Sequence, residues 1–429
     1  MEIEVIELIK EMNPWLNDGE IIPTKMSEYI QREQTDKLLL SDWDFLWLIL
    51  TGPRQAGKTT LGKYIARKLV EKKSFKDLLY LNCDFLEIRQ WIISPLFIKE
   101  AIKQFNLEKP IIFLDEVQRL ENPGILLKGI VDLKLPIKMI ASGSSQLEIK
   151  SKVQEYLTGR QLEVIVLPLS YKEIGKVNQE QLIYGCYPRV VLSKEKEIIL
   201  KQLYQNYISK DIIEILKIGK PDIMQKLITL LAHNSGQLVN YNQLATDCRV
   251  SATTIQHYCS VLEKTYIISK IKPFVGNKRK EIVSNPIYYF IDNGFRNQAL
   301  RRFSKDENRN DIGLLVESAV FQEILKFKEQ NFYDFDIHFW RTKSGAEVDF
   351  VLYKNDKDFL PIEVKFRRMK RPMITRSLRS FIDAYNPEIV IIITRNFRKK
   401  TEVKNSVIHF IPLQDIIEIF DLIRSSLKL

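Results

Sequence analysis

Short apolar runs alternate with amphipathic helical segments between residues 42 and about 169. This alternation is typical of a parallel sheet with helices packed on its faces. The pattern therefore predicts an α/β core over residues 41–170, with strands at 45–50, 78–82, 111–114, 137–141 and 163–167. Residues 1–40 form a helical segment with a turn at Asn13-Pro14-Trp15, and the pattern does not indicate their role.

The pattern changes after residue 170. Residues 171–220 predict a helical lid or linker that is broken at Gly185-Cys186-Tyr187-Pro188. Residues 221–300 predict three helices and then two strands, and Ser251 is a suitable N-cap for the third helix, at 252–264. This is the order of a winged helix, in which the third helix enters a major groove and the loop between the strands follows a phosphate backbone. The alternative is a winged helix that only packs against protein.

Two sets of side chains are candidates for DNA contact. They are Thr253, Thr254, Gln256 and His257 on the third helix, and Lys278, Arg279 and Lys280 in the loop between the two strands. A further stretch, residues 365–379, carries seven basic residues and no acidic one. The whole chain has 65 Lys and Arg against 54 Asp and Glu, a formal net charge of +11. Such a balance suits a polyanionic partner, although it is also common on solvated surfaces.

Composition excludes several classes of protein. Apolar residues make up 45% of the chain and charged residues 28%, as in ordinary globular proteins. No apolar run reaches ~20 residues, which predicts no membrane span. The acidic start Met1-Glu2-Ile3-Glu4 does not resemble a signal peptide, and the four cysteines show no C-x-x-C spacing. We therefore predict a protein of the reducing cytoplasm.

A phosphate-binding motif follows the first predicted strand. The stretch from Gly52 to Thr59 fits G-x-x-x-x-G-K-[ST], and it is placed between a strand and a helix, as that motif requires. In this geometry backbone N–H groups converge on the phosphates of ATP, Lys58 bridges the β- and γ-phosphates, and the Thr59 hydroxyl is a ligand of Mg²⁺. The predicted nucleotide-binding residues of this segment are Gly52, Arg54, Gln55, Ala56, Gly57, Lys58, Thr59 and Thr60.

A second motif argues against a chance match of the phosphate-binding pattern. The apolar run 111–114 ends in Asp115-Glu116, which predicts a buried strand with two carboxylates at its tip. Asp115 is expected to hold Mg²⁺ through water, and Glu116 to orient and deprotonate the attacking water. Ser144, after the fourth strand, is a candidate sensor of the γ-phosphate, and the alternative is a plain Ser/Gly turn.

Arginines near this site are open to two interpretations. Arg160, just before the fifth strand, could reach a γ-phosphate in the same subunit or in a neighbour within a homo-oligomer. The alternative is an ordinary surface or structural arginine, since spacing does not distinguish the two. Arg119 is a weaker candidate for the same role.

Acidic residues recur in the last segment, residues 301–429, which follows a charged linker around 304–311. Glu317 shares the apolar face of a helix predicted over 312–327, where an unpaired carboxylate would be costly. Alternation in the two strands that follow places Asp349 on one strand, and Glu363 with Lys365 on one face of the next. A helix at 374–385 and strands at 389–394 and 407–411 complete the segment.

The order of helix acid, strand Asp and Glu-x-Lys resembles the PD-(D/E)XK nuclease superfamily. That resemblance implies an α-β-β-β-α-β core in which Glu317, Asp349 and Glu363 bind Mg²⁺ or Mn²⁺ and Lys365 helps to position water for attack on a phosphodiester. Pro361-Ile362 replaces the usual Pro-Asp dipeptide, and Asp349 supplies that acid from the preceding strand. The alternatives are a structural ion cluster and a degenerate nuclease fold that only binds nucleic acid.

The three parts in this order resemble archaeal and bacterial ATPases of the AAA superfamily that carry a winged helix and a restriction-endonuclease-like domain. The motifs that carry the resemblance are those at residues 52–61, 114–118, 142–145, 159–160, 185–188, 340–342, 344–349 and 362–365. Ile287, in Asn285-Pro286-Ile287-Tyr288, replaces the lysine usual in that family. The predicted fold class is therefore α/β: a P-loop AAA-type core, an α+β winged helix and a nuclease-like α/β domain.

The leading hypothesis is an ATP-hydrolysing protein that binds DNA and cleaves it with a metal ion. The main alternative is a nucleotide-switched regulator that binds DNA or protein and has a catalytically silent nuclease-like domain. A helicase or translocase is the third alternative, and it would require assembly into a ring through an element such as Arg160.

Overall fold

The computed structural model describes residues 2–18, 29–40, 47–72, 74–143, 159–175, 177–208, 220–274, 285–306 and 309–429. The chain forms two compact units, Met1–Leu167 and Pro168–Leu429. Among the described residues, no helix has the length and apolar content that crossing a membrane would require.

The first unit contains one sheet with the strand order β2-β3-β4-β1-β5, in which all pairs are parallel. Its strands are β1 (Trp47–Thr51), β2 (Leu78–Asn82), β3 (Ile111–Asp115), β4 (Lys138–Ser142) and β5 (Gln161–Ile165). Its helices are α1 (Ile3–Met12), α2 (Trp15–Asp18), α3 (Gln34–Leu40), α4 (Lys58–Glu71), α5 (Leu86–Trp91), α6 (Phe97–Gln104) and α7 (Pro123–Asp132). The predicted parallel α/β core is confirmed, with strand ends that differ by one or two residues.

Both faces of this sheet are covered, which explains why its strands are continuous apolar runs. In β1, Trp47 and Ile49 pack into the core on one face, whereas Leu48 and Leu50 pack into the core on the other. Because successive side chains of a strand point to opposite faces, a strand buried on both faces needs an apolar residue at every position.

The N-terminal segment pairs with the edge strand β2. The Asn13 amide donates to the Tyr80 carbonyl at 2.8 Å, and the Tyr80 N–H donates to Asn13 Oδ1 at 2.6 Å. Trp15 Nε1 donates to the Leu78 carbonyl at 2.7 Å. These side chains satisfy backbone groups that an edge strand would otherwise leave unpaired. The turn at Asn13-Pro14-Trp15 therefore protects the edge of the sheet.

The second unit is larger and contains one mixed sheet flanked by helices. Its helices are α8 (Tyr171–Ile174), α9 (Gln179–Tyr184), α10 (Pro188–Leu192), α11 (Lys196–Asn206), α12 (Pro221–His233), α13 (Tyr241–Cys248), α14 (Ala252–Lys264), α15 (Asn293–Leu300), α16 (Ile312–Asn331), α17 (Arg376–Tyr385) and α18 (Ile419–Leu427). Its strands are β6 (Ile268–Pro273), β7 (Ile287–Phe290), β8 (Asp336–Arg341), β9 (Glu347–Tyr353), β10 (Phe359–Lys365), β11 (Ile389–Thr394), β12 (Lys399–Val403) and β13 (Ser406–Pro412).

Helices α12, α13 and α14 are followed by the antiparallel pair β6 and β7, in the predicted order. Ser251 caps α14, because its hydroxyl accepts a hydrogen bond from the Thr254 N–H at 3.1 Å. Strand β6 begins only at Ile268, since Tyr266 has a left-handed backbone with φ 58°. The three helices and the two strands share one apolar core.

The β6–β7 hairpin does not form a separate sheet. The strand order is β12-β13-β11-β10-β9-β8-β6-β7, and β6 pairs in parallel with β8, Lys272 opposite His338. Residues on both sides of position 300 therefore build one eight-stranded sheet. Alternation in the sequence did not indicate β8 or β12, the latter a largely exposed strand rich in charged residues.

Candidate functional site

The loop between β1 and α4 has the backbone conformation that its glycines permit. Gly52 has φ 136°, and a Cβ atom at this position would lie 2.2 Å from the Val166 carbonyl oxygen. Gly57 has φ 101° and immediately precedes α4. A larger residue would be strained at either position. The loop leads directly into the first turn of α4, and the first turn of a helix is where backbone N–H groups can bind an anion.

Lys58 and Thr59 begin α4, and both side chains point to groups of the site. The buried Lys58 ammonium donates to the carbonyl oxygens of Gly52 at 3.0 Å and Pro53 at 2.8 Å. The Thr59 hydroxyl donates to Asp115 Oδ2 at 2.7 Å. Sequence motifs 56 residues apart are therefore in direct contact. A hydroxyl and a carboxylate are the oxygen ligands that Mg²⁺ prefers, so this pair fits the expected ion.

Asp115 accepts hydrogen bonds from three hydroxyl groups. Besides Thr59, Tyr80 donates to Oδ2 at 2.8 Å and Ser142 donates to Oδ1. Burial raises the pKa of Tyr80, and the neighbouring Asp115 carboxylate raises it further, so the phenol remains a donor. Tyr80 and Ser142 were not predicted as site residues. They lie on β2 and β4, the two neighbours of β3, so only the strand order could have revealed them.

The side chains of Glu116 and the nearby arginines contact other partners than Asp115 and Thr59 do. Glu116 has a left-handed backbone with φ 57°, and its carboxylate accepts from the Gln118 amide. Arg119 forms an ion pair with Asp84 at 3.0 Å. Arg160 lies 3.7 Å from Asp132 of α7, and both side chains are more than half exposed. An exposed arginine suits either of the two interpretations given for Arg160.

The remaining predicted nucleotide-site residues lie within this loop or close to it in the chain. Arg54 and Gln55 are half-buried, Ala56 is buried and Thr60 is exposed, whereas Ser144 lies outside the described residues. A residue that the sequence analysis missed, Arg32, is buried and donates to the Ala56 carbonyl at 3.4 Å. It also donates to the Leu167 carbonyl, so it ties the segment before β1 to the loop and to the residues after β5.

The second group of predicted residues lies entirely within the second unit. Asp349 is on β9, Glu363 and Lys365 are on β10, and Glu317 is on α16. We call these four residues the carboxylate cluster. Lys365 Nζ lies 3.0 Å from Glu363 Oε1, and the Val364 N–H donates to Asp349 Oδ2 at 2.6 Å.

Electrostatic interactions link the members of the cluster. The surrounding protein removes hydration from the Asp349 carboxylate, which raises its pKa well above the usual range. The carboxylates of Glu317 and Glu363 raise this pKa further, whereas Lys365 lowers it. Loss of hydration likewise raises the pKa of Glu317 to about 7. Glu317 and Asp349 are nevertheless only half-buried, so an ion could reach them. That these residues share one cation site stays a prediction.

The cluster has the chemistry of a cation site. Glu363 is 2% exposed, yet its Oε2 atom has no hydrogen-bond partner, while its Oε1 accepts from Thr375 at 3.1 Å. A divalent cation would satisfy such an oxygen, and an all-oxygen donor set suits Mg²⁺ or Mn²⁺. In the part of the chain that the structure describes, no three His, Cys, Asp or Glu side chains are already arranged around one metal position. Cation binding therefore requires side-chain adjustment.

The predicted DNA-contact residues are only partly described. On α14, Thr253, Gln256 and His257 are exposed, whereas Thr254 is half-buried and its hydroxyl lies 2.8 Å from Ser251 Oγ. Lys278, Arg279 and Lys280 lie outside the described residues. The basic stretch that follows β10 is solvent-accessible. Its exposed members are Arg367, Arg368, Lys370, Arg371, Arg376 and Arg379.

Three family models match consecutive segments of the chain. Residues 44–175 match an AAA domain, residues 176–306 a domain of unknown function (DUF8612), and residues 312–416 another domain of unknown function (DUF4143). Together with the loop geometry, the first match supports an ATP-binding AAA-superfamily P-loop domain in the first unit.

Relatives of known sequence or structure are distant. A protein of Haemophilus influenzae, described only as uncharacterized, is 26% identical over 84% of this chain and 92% of its own length. An ORC1-type DNA replication protein of Halobacterium salinarum is 25% identical over 35% of this chain and 46% of its own length. A Walker-type ATPase of Pyrococcus abyssi is similar in structure, with a TM-score of 0.43 and 15% identity, over 65% of this chain and 97% of that one.

Proposed function

We propose that this protein is an ATP-hydrolysing AAA-type ATPase that binds DNA and cleaves it at the carboxylate cluster with Mg²⁺ or Mn²⁺. The observation that carries the ATPase assignment is the 2.7 Å hydrogen bond between Thr59 and Asp115, which joins the phosphate-binding loop to the carboxylate strand. Two separate motifs thus meet at one point, as nucleotide hydrolysis requires.

The residues of the nucleotide site have distinct tasks in this proposal. Lys58 exchanges its bonds to loop carbonyls for the β- and γ-phosphates of ATP. Thr59 and Asp115 hold Mg²⁺, which supplies charge neutralisation at the phosphates. Glu116 takes a proton from the attacking water as the bond from that water to the γ-phosphorus forms and the bond from the γ-phosphorus to the leaving oxygen of ADP breaks. Arg160, exposed on this unit, is available to a neighbouring copy in a homo-oligomer.

DNA binding is supported by charge and exposure. Six exposed basic side chains follow β10, and this stretch begins directly after Lys365 of the carboxylate cluster. A phosphate backbone held by them would pass near the carboxylates. The partial relative from Halobacterium salinarum is named as a DNA replication protein, which favours DNA over other polyanions for this chain.

Phosphodiester cleavage is supported by the composition of the cluster. In this proposal Glu317, Asp349 and Glu363 would hold the cation, whose charge would polarise the scissile phosphate. Lys365, whose ammonium is 3.0 Å from Glu363, positions the attacking water and stabilises the charge that develops on the phosphate oxygens. The bond to the leaving oxygen of the sugar breaks as the bond from water to phosphorus forms.

A second candidate function is a nucleotide-switched regulator that binds DNA or a partner protein without cutting. The observation that favours it is the lack, among the described residues, of a ready arrangement of three metal-ligating side chains. Cleavage separates the two candidates, since both predict ATP binding and both allow DNA binding.

The ATPase assignment is tested by Lys58→Ala. The loop amides remain in this variant, but the Lys58 ammonium that would contact the γ-phosphate is lost. We therefore expect Mg²⁺-dependent phosphate release to fall to the level of buffer. The matched control is Lys68→Ala, which removes an ammonium of the same helix that pairs with Glu71 at 2.7 Å instead. Undiminished turnover in Lys58→Ala would refute an active site at this loop.

DNA binding and cleavage are tested together with Asp349→Ala. Plasmid, single-stranded and branched DNA are incubated with Mg²⁺ or Mn²⁺, and binding is measured in parallel at several salt concentrations. We expect both proteins to bind, with affinity falling steeply as salt rises, and only the wild type to cut. Binding without cleavage by either protein would establish the regulator instead, and equal cleavage by both would place the activity outside the cluster.

A further inference from the structure

The carboxylate cluster includes a residue from the preceding segment of the chain. Tyr289 lies on β7, within the segment 176–306, and its hydroxyl donates to Glu317 Oε1 at 2.6 Å. Gly236, in the turn after α12, also faces this oxygen: a Cβ atom there would lie 2.9 Å from Glu317 Oε1. The segment with the α12–α14 helices therefore provides both a hydrogen-bond donor and the space that Glu317 occupies.

Packing fixes the position of the Tyr289 hydroxyl. The side chain is 1% exposed, and its ring stacks on Phe321 of α16 with centroids 4.7 Å apart. The ring also lies 5.6 Å from that of Phe350, the neighbour of Asp349 on β9. A phenol held between the acid helix and an acid strand has little freedom to rotate away from Glu317.

Buried hydrogen bonds attach β7 and the first residue of α15 to α16 on both sides of Glu317. Gln322 donates to the Phe290 carbonyl at 3.0 Å, and Asn293 donates to the Leu315 carbonyl at 2.9 Å. These bonds involve residues 2 before and 5 after Glu317 in α16, so a displacement of the hairpin would displace the acid helix with it. The last residues of β7, Tyr289 and Phe290, are therefore part of the site.

We propose that Tyr289 is a positioning residue of the carboxylate cluster, which orients Glu317 as a ligand and so sets the affinity for a divalent cation. This inference rests on the proposed cation site. Hydroxyl and amide groups that hydrogen-bond a ligating carboxylate hold the free oxygen in place, and their loss typically weakens metal binding about 10- to 100-fold. Glu317 has a second oxygen for the cation, because Tyr289 contacts only Oε1.

The test is calorimetric titration of the nucleotide-free, full-length protein with Mn²⁺. We expect Tyr289→Phe to weaken binding about tenfold or more. Tyr288→Phe is the matched control, since it removes an equally buried hydroxyl from the same strand, one that lies 3.0 Å from Tyr241 instead. Equal or tighter Mn²⁺ binding by Tyr289→Phe would overturn the proposal, as would an equal loss in Tyr288→Phe.

A double-mutant cycle separates positioning from general damage to the fold. In a Glu317→Gln background the ligand charge is already gone, so Tyr289→Phe should cause no further loss of Mn²⁺ affinity. The same fold-loss in both backgrounds would show that the tyrosine acts through the fold, and would also overturn the proposal.

Asp349→Asn distinguishes failure of this inference from failure of the proposed cation site. If wild-type protein binds Mn²⁺ and Asp349→Asn does not, the site stands, and the tyrosine variants then decide the role of Tyr289. If wild-type protein binds no Mn²⁺, or Asp349→Asn binds it equally well, the cation site and the role of Tyr289 both fail.

Discussion

Two carboxylates near the start of α16 have opposite environments. Asp311, the residue before the helix, is buried and contacts Arg309 at 2.6 Å and Arg296 at 2.9 Å. Burial disfavours its ionised form, but the hydrogen bonds from the two arginines outweigh this effect and lower its pKa to about 2. Glu317, less than two turns later, has a pKa raised to about 7, because the surrounding protein excludes water from it and the hydrogen bond from Tyr289 and the charge of Lys365 compensate only in part.

The difference is one of charge balance. Around Asp311 the chain supplies two guanidinium groups for one carboxylate, so this ion cluster is complete. The carboxylate cluster has one ammonium for the three acids Glu317, Asp349 and Glu363, a formal charge of −2 when all are ionised. A buried charge that the chain itself compensates indicates a structural role, whereas an uncompensated one indicates a site that an external cation completes.

The largest effect is expected from removing an arginine of the complete cluster. Arg296→Met leaves the buried Asp311 with one partner fewer and also removes the bond from Arg296 Nε to the Ala232 carbonyl at 3.1 Å. Breaking a buried ion pair from one side typically costs about 3–5 kcal/mol. We expect a loss of this size, measured as a lower midpoint of thermal unfolding by circular dichroism.

Arg302→Met is the control for this prediction. Its guanidinium lies 4.0 Å from the same Asp311, but the side chain is 52% exposed. Exposed pairs contribute little, so stability should stay within roughly 0.5 kcal/mol of wild type. If Arg296→Met is tolerated as well as Arg302→Met, the cluster around Asp311 is not structural and the contrast with Glu317 disappears.

The sequence revealed those parts of the sites that are local in the chain. The loop from Gly52 to Thr59 and the Glu-x-Lys pair of β10 each lie within one short stretch, where spacing and alternation determine which side chains come together. The parallel sheet of the first unit also followed from the alternation of apolar runs and helices, because strands buried on both faces are nearly continuous apolar runs.

Partners from distant parts of the chain were missed for a physical reason. Tyr80, Ser142 and Tyr289 contact their carboxylates only because strand order and the shared eight-stranded sheet bring them there. Asp311 was placed in a charged linker, yet it is buried, because two arginines neutralise it. Periodicity describes one element at a time and carries no information on which elements become neighbours.

The smallest expected effect is a pH dependence of opposite sign at the two acids. The Asp311 pKa lies below the unfolded value of about 3.9, so its contribution to stability is present at neutral pH and is lost only as pH falls toward about 2. The Glu317 pKa of about 7 exceeds the unfolded value of about 4.3, so the folded protein holds more protons between these values. Stability must therefore decrease as pH rises through this window.

This second slope can be measured in EDTA as the thermal midpoint between pH 5 and pH 8. Relative to Glu317→Gln, which cannot ionise, we expect the wild-type midpoint to fall by roughly 2–4 °C for each kcal/mol of lost stability. Mn²⁺ should abolish the difference in slope, because a bound cation favours the ionised carboxylate in the folded protein. Parallel curves for wild type and Glu317→Gln in EDTA would mean that Glu317 is as well compensated as Asp311, and that the carboxylate cluster does not need an external cation.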